Sequence, residues 1–438
     1  MNEHFIATFF RFKEYGTTFS REVLAGVTTF LTMAYILIVN PGILSETGMD
    51  FGAVFVATAL GAALGTLLMG LLANYPVALA PGMGLNAYFT YTVVLGMGVP
   101  WQTALGAVFI SGVIFLLLTA TRVRELIINA IPSSLKHAVS AGIGLFIAFI
   151  GLKNAQIVLP NEATYVALNP DLSQPGILLT FFGLIVTTLL LVRKVRGGIF
   201  YGMLITAALG MLIRIVPVPS GIVSAPPSLA PTLMQLDIVG ALGLGFWTII
   251  FAFLFVDLFD TVGTLVGVTN QAGLLKENKL PRAGRALTAD SVATIGGSML
   301  GTSTVTSYIE SSSGVSAGGR TGATAVTVGL LFILSIFFFP VVEALAPVAA
   351  ITSPALIVVG VMMASSLRHI EWGELDEAIP AFLTFLLMPL TFSIATGIAV
   401  GFVLYPLAKL FAGKGRKVHV IMYILAVLFV LRFVFLRV

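Results

Sequence analysis

The chain has 438 residues, 58% of them hydrophobic and 10% charged, with a formal net charge of +4 and a mean hydropathy of +1.04. Soluble domains carry about a quarter charged residues, so a soluble globular protein is excluded, and the small basic excess marks membrane topology rather than a nucleic-acid partner. Cysteine is absent, which excludes disulfides and thiol chemistry.

The N-terminal stretch MNEHFIATFFRFKEYG is too polar for a secretory signal. Its Phe and Ile residues alternate with charges and predict an interfacial helix over residues 1–22. Hydrophobic segments follow at 23–45, 51–73, 77–97, 101–121, 135–153, 175–192, 198–216, 239–268, 288–300, 303–315, 323–346, 353–366, 378–394 and 395–412. A straight helix needs ~20 apolar residues to cross a bilayer, so several of these are short. The expectation is an all-α, multi-pass protein of the cell membrane with about fourteen spans. A last apolar stretch, 418–436, lies between Lys417 and Arg437 and reads as a further span or an interfacial helix.

Basic residues test that count. With a cytoplasmic N-terminus, 19 of the 23 Lys and Arg residues fall on the cytoplasmic side, among them Arg122, Arg124, Arg193, Lys194, Lys276, Lys279, Arg282 and Arg320. The exceptions are Lys153, Arg214, Arg432 and Arg437, and the connection 217–236 has no basic residue and reads as external.

Residues 20–200 show weak similarity of pattern to 239–412. The stretch LTMAYILIVNPGILSETG (31–48) pairs with VDLFDTVGTLVGVTNQAG (256–273), both read as interrupted. PVALAPGMGLNAYFTYTVVLGMG (76–98) pairs with TSTVTSYIESSSGVSAGGRTG (302–322), each an extended piece, a Gly- or hydroxyl-rich break and a short helix. Seven spans per half inverts the second half, a 7+7 arrangement typical of secondary transporters whose site lies where the broken segments meet. Non-helical backbone at membrane depth belongs in protein or beside a cavity. An ordinary surface loop is the alternative for 302–322.

Three carboxylates fall within predicted spans: Asp257, Asp260 and Glu310. A charge at the centre of a membrane helix costs ~3 kcal/mol, which makes such residues functional candidates. Asp257, Asp260 and Thr264 share one helical face by spacing, and Asp257 and Asp260 are candidate proton carriers. The alternative for Asp257 is a cap or a pairing with a neighbouring helix. Asp290, at the start of a short span, reads as an N-cap or a functional residue. Asn86 opens the first break, where its amide either donates to a ligand or ties down exposed backbone. Phe253 is a candidate to stack on a flat ligand. GAALGTLLMG (61–70) reads as small-residue helix packing. The four histidines lack metal spacing, and no nucleophile–base motif is present, so neither a metal nor an enzyme is expected.

Taken together, AGVTTFLTMAYILIVNPGIL (25–44), APGMGLNAYF (80–89), FVDLFDTVGTL (255–265), TSTVTSYIESSSGVSAGGRTG (302–322) and IPAFLTFLLMPLTFSIATGI (379–398) resemble the AzgA-like purine permeases. These are the hypoxanthine/guanine/adenine branch of the nucleobase/ascorbate transporters, and the resemblance runs from about residue 15 to the C-terminus. It implies a core domain (23–121 and 239–346) and a gate domain (135–216 and 353–412), with short strands in spans three and ten. It places substrate carboxylates at Asp260 and Glu310 and a further important position at Asn86. Thr264 stands where the uracil permease has a histidine, so that histidine's proton handling does not carry over. On this resemblance the partners are a purine nucleobase, a proton and the lipid bilayer, with a homodimer allowed, no cofactor and no nucleic acid. Glu310 would accept the purine's N–H groups, Asp260 would meet a ring nitrogen, and backbone N–H groups near Leu85, Asn86 and Ile309 would serve the 6-oxo group.

Overall fold

The computed structural model describes residues 3–121, 130–243, 247–275 and 280–435; Arg122, Arg124, Lys276, Lys279 and Arg437 lie outside them. Among the described residues of 1–22, the expected single helix is two short helices, α1 (Glu3–Phe9) and α2 (Phe12–Tyr15), and residues 19–22 already belong to the helix that follows. Arg11 between them has φ 56, a left-handed conformation that interrupts the ladder. Phe10 and Phe12 are buried against Ala323.

Next come α3 (Phe19–Met33) and α4 (Ile36–Ser45), two pieces of one broken stretch, then α5 (Phe51–Leu68). Pro41 inside α4 lacks the N–H that a continuous ladder needs. Strand β1 (Leu79–Pro81) and the short α6 (Met83–Ala87) precede α7 (Trp101–Ala120) and α8 (Ser133–Asn154). An antiparallel hairpin, β2 (Val158–Asn161) with β3 (Tyr165–Leu168), follows. Then come α9 (Pro175–Val192), α10 (Gly198–Leu212) and the single turn α11 (Ile238–Ala241).

The second half opens with α12 (Trp247–Gln271) and α13 (Ala283–Leu300). α12 runs unbroken through 256–271, which corrects the interrupted reading of 256–273; only its counterpart, the α3–α4 stretch, is broken. Apolar neighbours on both sides of Asp257 and Asp260 sustain a helical pattern there, and no Gly or Pro stops it before Gly273 at φ +70. Strand β4 (Val305–Ser307) and α14 (Ser311–Ser316) precede α15 (Gly322–Ser335), α16 (Phe339–Leu345), α17 (Ala349–Ala364), α18 (Leu375–Leu390), α19 (Ile394–Phe411) and α20 (Val420–Phe435). Met422, Leu425 and Phe429 of α20 are buried, with Phe429 packed on Phe251, Phe255 and Phe402.

Among the described residues, nine helical stretches are long and apolar enough to cross a membrane. The protein is multi-pass. α3, α5 and α15 pack together, with α13 against α5 and α7; α8 packs on α17, α18 and α19, and α9 on α10 and α17. Small residues bring these helices close. A Cβ on Gly65 would stand 2.8 Å from that of Ala293, and one on Gly70 would stand 2.6 Å from the Gly322 carbonyl, so 61–70 packs helices.

Candidate functional site

The two broken segments meet as a sheet. β1 pairs antiparallel with β4 in the register Leu79↔Ser307, Ala80↔Thr306 and Pro81↔Val305. The Gly82 N–H donates to the Thr304 carbonyl at 3.0 Å, and the Tyr308 N–H to the Ala78 carbonyl at 2.9 Å. Both strands are fully enclosed, which satisfies buried backbone without a helix. α6 and α14 leave this sheet from opposite strands.

Asn86 sits in α6 with no exposed surface. Its side-chain oxygen accepts from the Ser303 hydroxyl, and its Nδ2 donates to the Pro81 carbonyl at 3.4 Å. This geometry includes a tie on the backbone of the break, one of the two roles read from sequence for Asn86. The Asn86 N–H is also engaged, donating to the Gly82 carbonyl at 2.8 Å. The Leu85 N–H lies in the first turn of α6, ahead of that first helical bond, and the Leu85 side chain is buried.

Asp260 projects from α12 toward the break. A Cβ built on Gly82 would stand 3.6 Å from Asp260 Oδ2, ordinary contact that places the carboxylate beside the break, and 2.6 Å from Thr306 Cγ2, which is the approach that requires glycine there. Glu310 precedes α14 and is 7% exposed. Tyr35, in the break between α3 and α4, donates its hydroxyl to Glu310 Oε1 at 2.7 Å. The Tyr308 hydroxyl donates to the Pro81 carbonyl, tying the strand that leads to Glu310 to the end of β1 beside Asp260. Thr264 is buried one turn beyond Asp260. Ile309 is 42% exposed and points toward Gly267 of α12, with its Cδ1 3.9 Å from where a Cβ would be. No side chain stands within 4 Å of a Cβ on Gly263, so α12 presents an open strip from Asp260 toward its C-terminal end.

Asp257 turns away from Asp260. The Thr261 hydroxyl lies 3.2 Å from Asp257 Oδ1, 2.7 Å from Asp290 Oδ1 and 2.7 Å from the Thr306 hydroxyl. The shared face drawn by spacing therefore divides, Asp257 into a buried cluster and Asp260 toward the break. Asp290 lies in the middle of α13 and is fully buried, which corrects the N-cap reading. Phe253 is also fully buried, its ring edge-on to Tyr88 at 5.1 Å, and so it belongs to the packing rather than to an open stacking surface.

Sequence reasoning missed Tyr35, Thr261 and Tyr308. A signal existed for Tyr35: a buried tyrosine hydroxyl needs a partner, and Tyr35 stands in the apolar run LTMAYILIV. Its partner lies 275 residues away and could not be named from spacing.

The site's residues fall inside a recognisable permease. The model of a permease family matches residues 20–400. The guanine/hypoxanthine permease PbuG of Bacillus subtilis is 54% identical over 441 residues, covering 98% of this chain and all of that protein. The adenine permease AdeP of Escherichia coli is 48% identical, covering 98% of this chain and 95% of that one. Among solved structures, the transmembrane domain of the cyanobacterial bicarbonate transporter BicA superposes with a TM-score of 0.63 over 87% of this chain and 96% of that one, at 14% identity. That last likeness is one of fold.

Proposed function

Because the chain belongs to this permease family, and is a transporter rather than an enzyme, we propose that it imports purine nucleobases (hypoxanthine, guanine or adenine) by proton symport. The observation that carries the reading is that two carboxylates flank the paired strands, Asp260 beside Gly82 after β1 and Glu310 at the start of α14 after β4. A purine is flat, neutral near pH 7, and edged with N–H donors and ring-nitrogen acceptors. Glu310 accepts an N–H group from one edge. Asp260 meets a ring nitrogen, as acceptor when ionised and donor when protonated. The Leu85 and Ile309 N–H groups serve the 6-oxo oxygen, while Asn86 holds the break in shape. A site built from buried polar groups rejects ligands that leave them unpaired. The permeases of similar sequence are named for guanine, hypoxanthine and adenine. The fold shared with a bicarbonate transporter does not choose the substrate, but an anion would be repelled by the two carboxylates.

Purines carry no charge near neutral pH, so accumulation needs a coupling ion. Asp260, with Asp257 and Thr264 along the same helix, is the proposed proton route. The bundle of α3, α5, α7, α12, α13 and α15 is the core that carries the site, and the bundle of α8, α9, α10, α17, α18 and α19 is the gate. With a cytoplasmic N-terminus, the open strip of α12 below Asp260 faces the cytoplasm, as an inward-facing state requires. Transport is alternating access of the core against the gate, over fourteen spans in a 7+7 inverted repeat.

The test is uptake of radiolabelled hypoxanthine into proteoliposomes under an imposed inward proton gradient, with purine and pyrimidine competitors. We expect purines alone to compete, a protonophore to collapse accumulation and sodium to have no effect. Sodium-dependent uptake, or equal competition by uracil, overturns the proposal.

A further inference from the structure

We propose that Tyr35 is the positioning residue of the Glu310 carboxylate and thereby sets which purine edge the site accepts. This rests on the reading of Glu310 as a substrate ligand.

The segment around Tyr35 is built for a fixed contact. α3 ends at Met33 and α4 begins at Ile36. In the turn between them Leu37 N–H bonds the Ala34 carbonyl at 3.1 Å and Ile38 N–H the Tyr35 carbonyl at 3.0 Å. Tyr35 is 1% exposed, so its ring has one packed position and its hydroxyl one direction. That hydroxyl donates to Glu310 Oε1 at 2.7 Å. One turn earlier, the Thr32 hydroxyl reaches the Glu310 backbone carbonyl at 3.4 Å. That hydroxyl's short bond is to the Thr29 carbonyl at 2.7 Å, so the broken first span holds Glu310 through the Tyr35 contact to its side chain.

Without this contact the carboxylate would be poorly fixed. Glu310 stands at the N-terminus of α14 but its side chain does not cap that helix. The carboxylate also meets its own residue's backbone N–H, and among the described residues Tyr35 supplies the side-chain hydrogen bond that fixes it to another helix. A glutamate's terminal torsion is broad, so an unheld carboxylate samples many orientations. A phenol on Oε1 fixes the plane and presents Oε2 to a ligand. A carboxylate with one oxygen committed recognises a single N–H of defined direction better than a spread of donors. Tyr35 thus acts on selectivity through Glu310 and touches no ligand atom itself.

The experiment measures hypoxanthine KM and Vmax, and inhibition by 7-methyl- and 9-methylhypoxanthine, in each of which one imidazole N–H is blocked. Wild type is compared with Tyr35→Phe, Glu310→Gln and the double variant. We expect Tyr35→Phe to raise KM about tenfold, the lower range for loss of a hydrogen bond to a charged group. Vmax should stay within about twofold, as for loss of uniform binding that raises KM and leaves turnover unchanged. The preference between the two methyl isomers should narrow. In the Glu310→Gln background, Tyr35→Phe should add little, because coupled residues are non-additive. Unchanged KM and unchanged methyl preference in Tyr35→Phe overturn the proposal, as does a full, additive effect in the double variant. If Tyr35→Phe does not reach the membrane, 4-aminophenylalanine and 4-methylphenylalanine at position 35 replace it. Both fill the phenol's volume and only the first donates, so equal KM for the pair overturns the proposal. A Glu310→Gln protein with wild-type KM removes the substrate role of Glu310 itself. A defective Glu310→Gln beside a normal Tyr35→Phe removes only the role of Tyr35.

Discussion

Asn86 accepts a hydrogen bond from Ser303 across 217 residues of sequence, and this contact ties the two broken segments to each other. Asn86 follows β1 and Ser303 precedes β4, so the amide closes the same end of the sheet as the Gly82–Thr304 backbone bond. Replacing Asn86 by Ala leaves the Ser303 hydroxyl without its acceptor in a dry interior. A buried group left unpaired costs about 1–3 kcal/mol. Asn86→Ala should therefore lower the unfolding temperature of the purified protein in detergent, and Ser303→Ala should lower it less. A variant of wild-type stability whose only defect is a raised KM would assign the Asn86 amide to the ligand instead.

Glu310→Gln replaces an acceptor-only group by an amide that is half donor. Against an N–H edge the change forfeits a charge-assisted hydrogen bond, about 1.5–3 kcal/mol or roughly 10- to 100-fold in affinity. Binding of labelled hypoxanthine to purified protein should weaken by that factor while the protein still reaches the membrane. Near wild-type affinity would remove Glu310 from the site.

Asp260→Asn mimics a permanently neutral side chain. Purine exchange across the membrane should persist in proteoliposomes preloaded with substrate, and concentrative uptake should be lost. Proton-driven accumulation by this variant would move the coupling proton elsewhere, with Asp257 the next residue to replace.

Glu22 carries a structural prediction that the sequence offers no hint of. Fully buried, its carboxylate accepts from the Arg320, Thr321 and Thr324 N–H groups at 3.0–3.2 Å and from the Thr324 hydroxyl at 2.6 Å. A carboxylate at the N-terminus of α15 is also favoured by the helix dipole. Glu22→Ala leaves several buried donors unpaired, and at ~1–3 kcal/mol each the loss should keep the variant from accumulating in the membrane. Glu22→Gln, which keeps one acceptor, should fold with a lowered unfolding temperature. Wild-type expression of Glu22→Ala would show that these N–H groups find other partners.

The two helix bundles proposed as core and gate are bridged by contacts around Tyr91 and Thr92. Tyr91 donates to Glu46 Oε1 at 2.7 Å and accepts from Asn154 Nδ2 at 3.1 Å. The Thr92 hydroxyl donates to the Phe392 carbonyl at 2.6 Å, and Lys153 Nζ stands 5.2 Å from the Tyr91 ring centre. Under alternating access these contacts break in the opposite state, so weakening them should shift the population toward it. The chain lacks cysteine, and Gly263 faces open space, so Gly263→Cys is a single reporter. A membrane-impermeant maleimide should label it from the cytoplasmic face, and Tyr91→Phe with Thr92→Ala should slow that labelling. Equal rates would mean that these contacts do not hold the state.

Local composition carried much of this protein's character. Apolar runs near 20 residues identify a membrane protein because bilayer thickness acts on each segment by itself. The breaks at 80–89 and 302–322 were visible because Gly, Pro and hydroxyl residues interrupt helices wherever they occur. Asp260 and Glu310 stood out because an ionisable group in such a run is costly without a role. Tertiary structure decided what each polar group faces. It turned Asp257 and Asp290 toward Thr261, gave Asn86 to Ser303, enclosed Phe253 beside Tyr88, ran α12 straight through 256–271, and set Tyr35 on Glu310. A hydrogen bond forms over about 3 Å of space, whereas, apart from Asp257 and Thr261, these partners lie 29 to 275 residues apart in the chain. Local propensity senses only near neighbours, so spacing named the unusual residues and the packing of the helices assigned their partners.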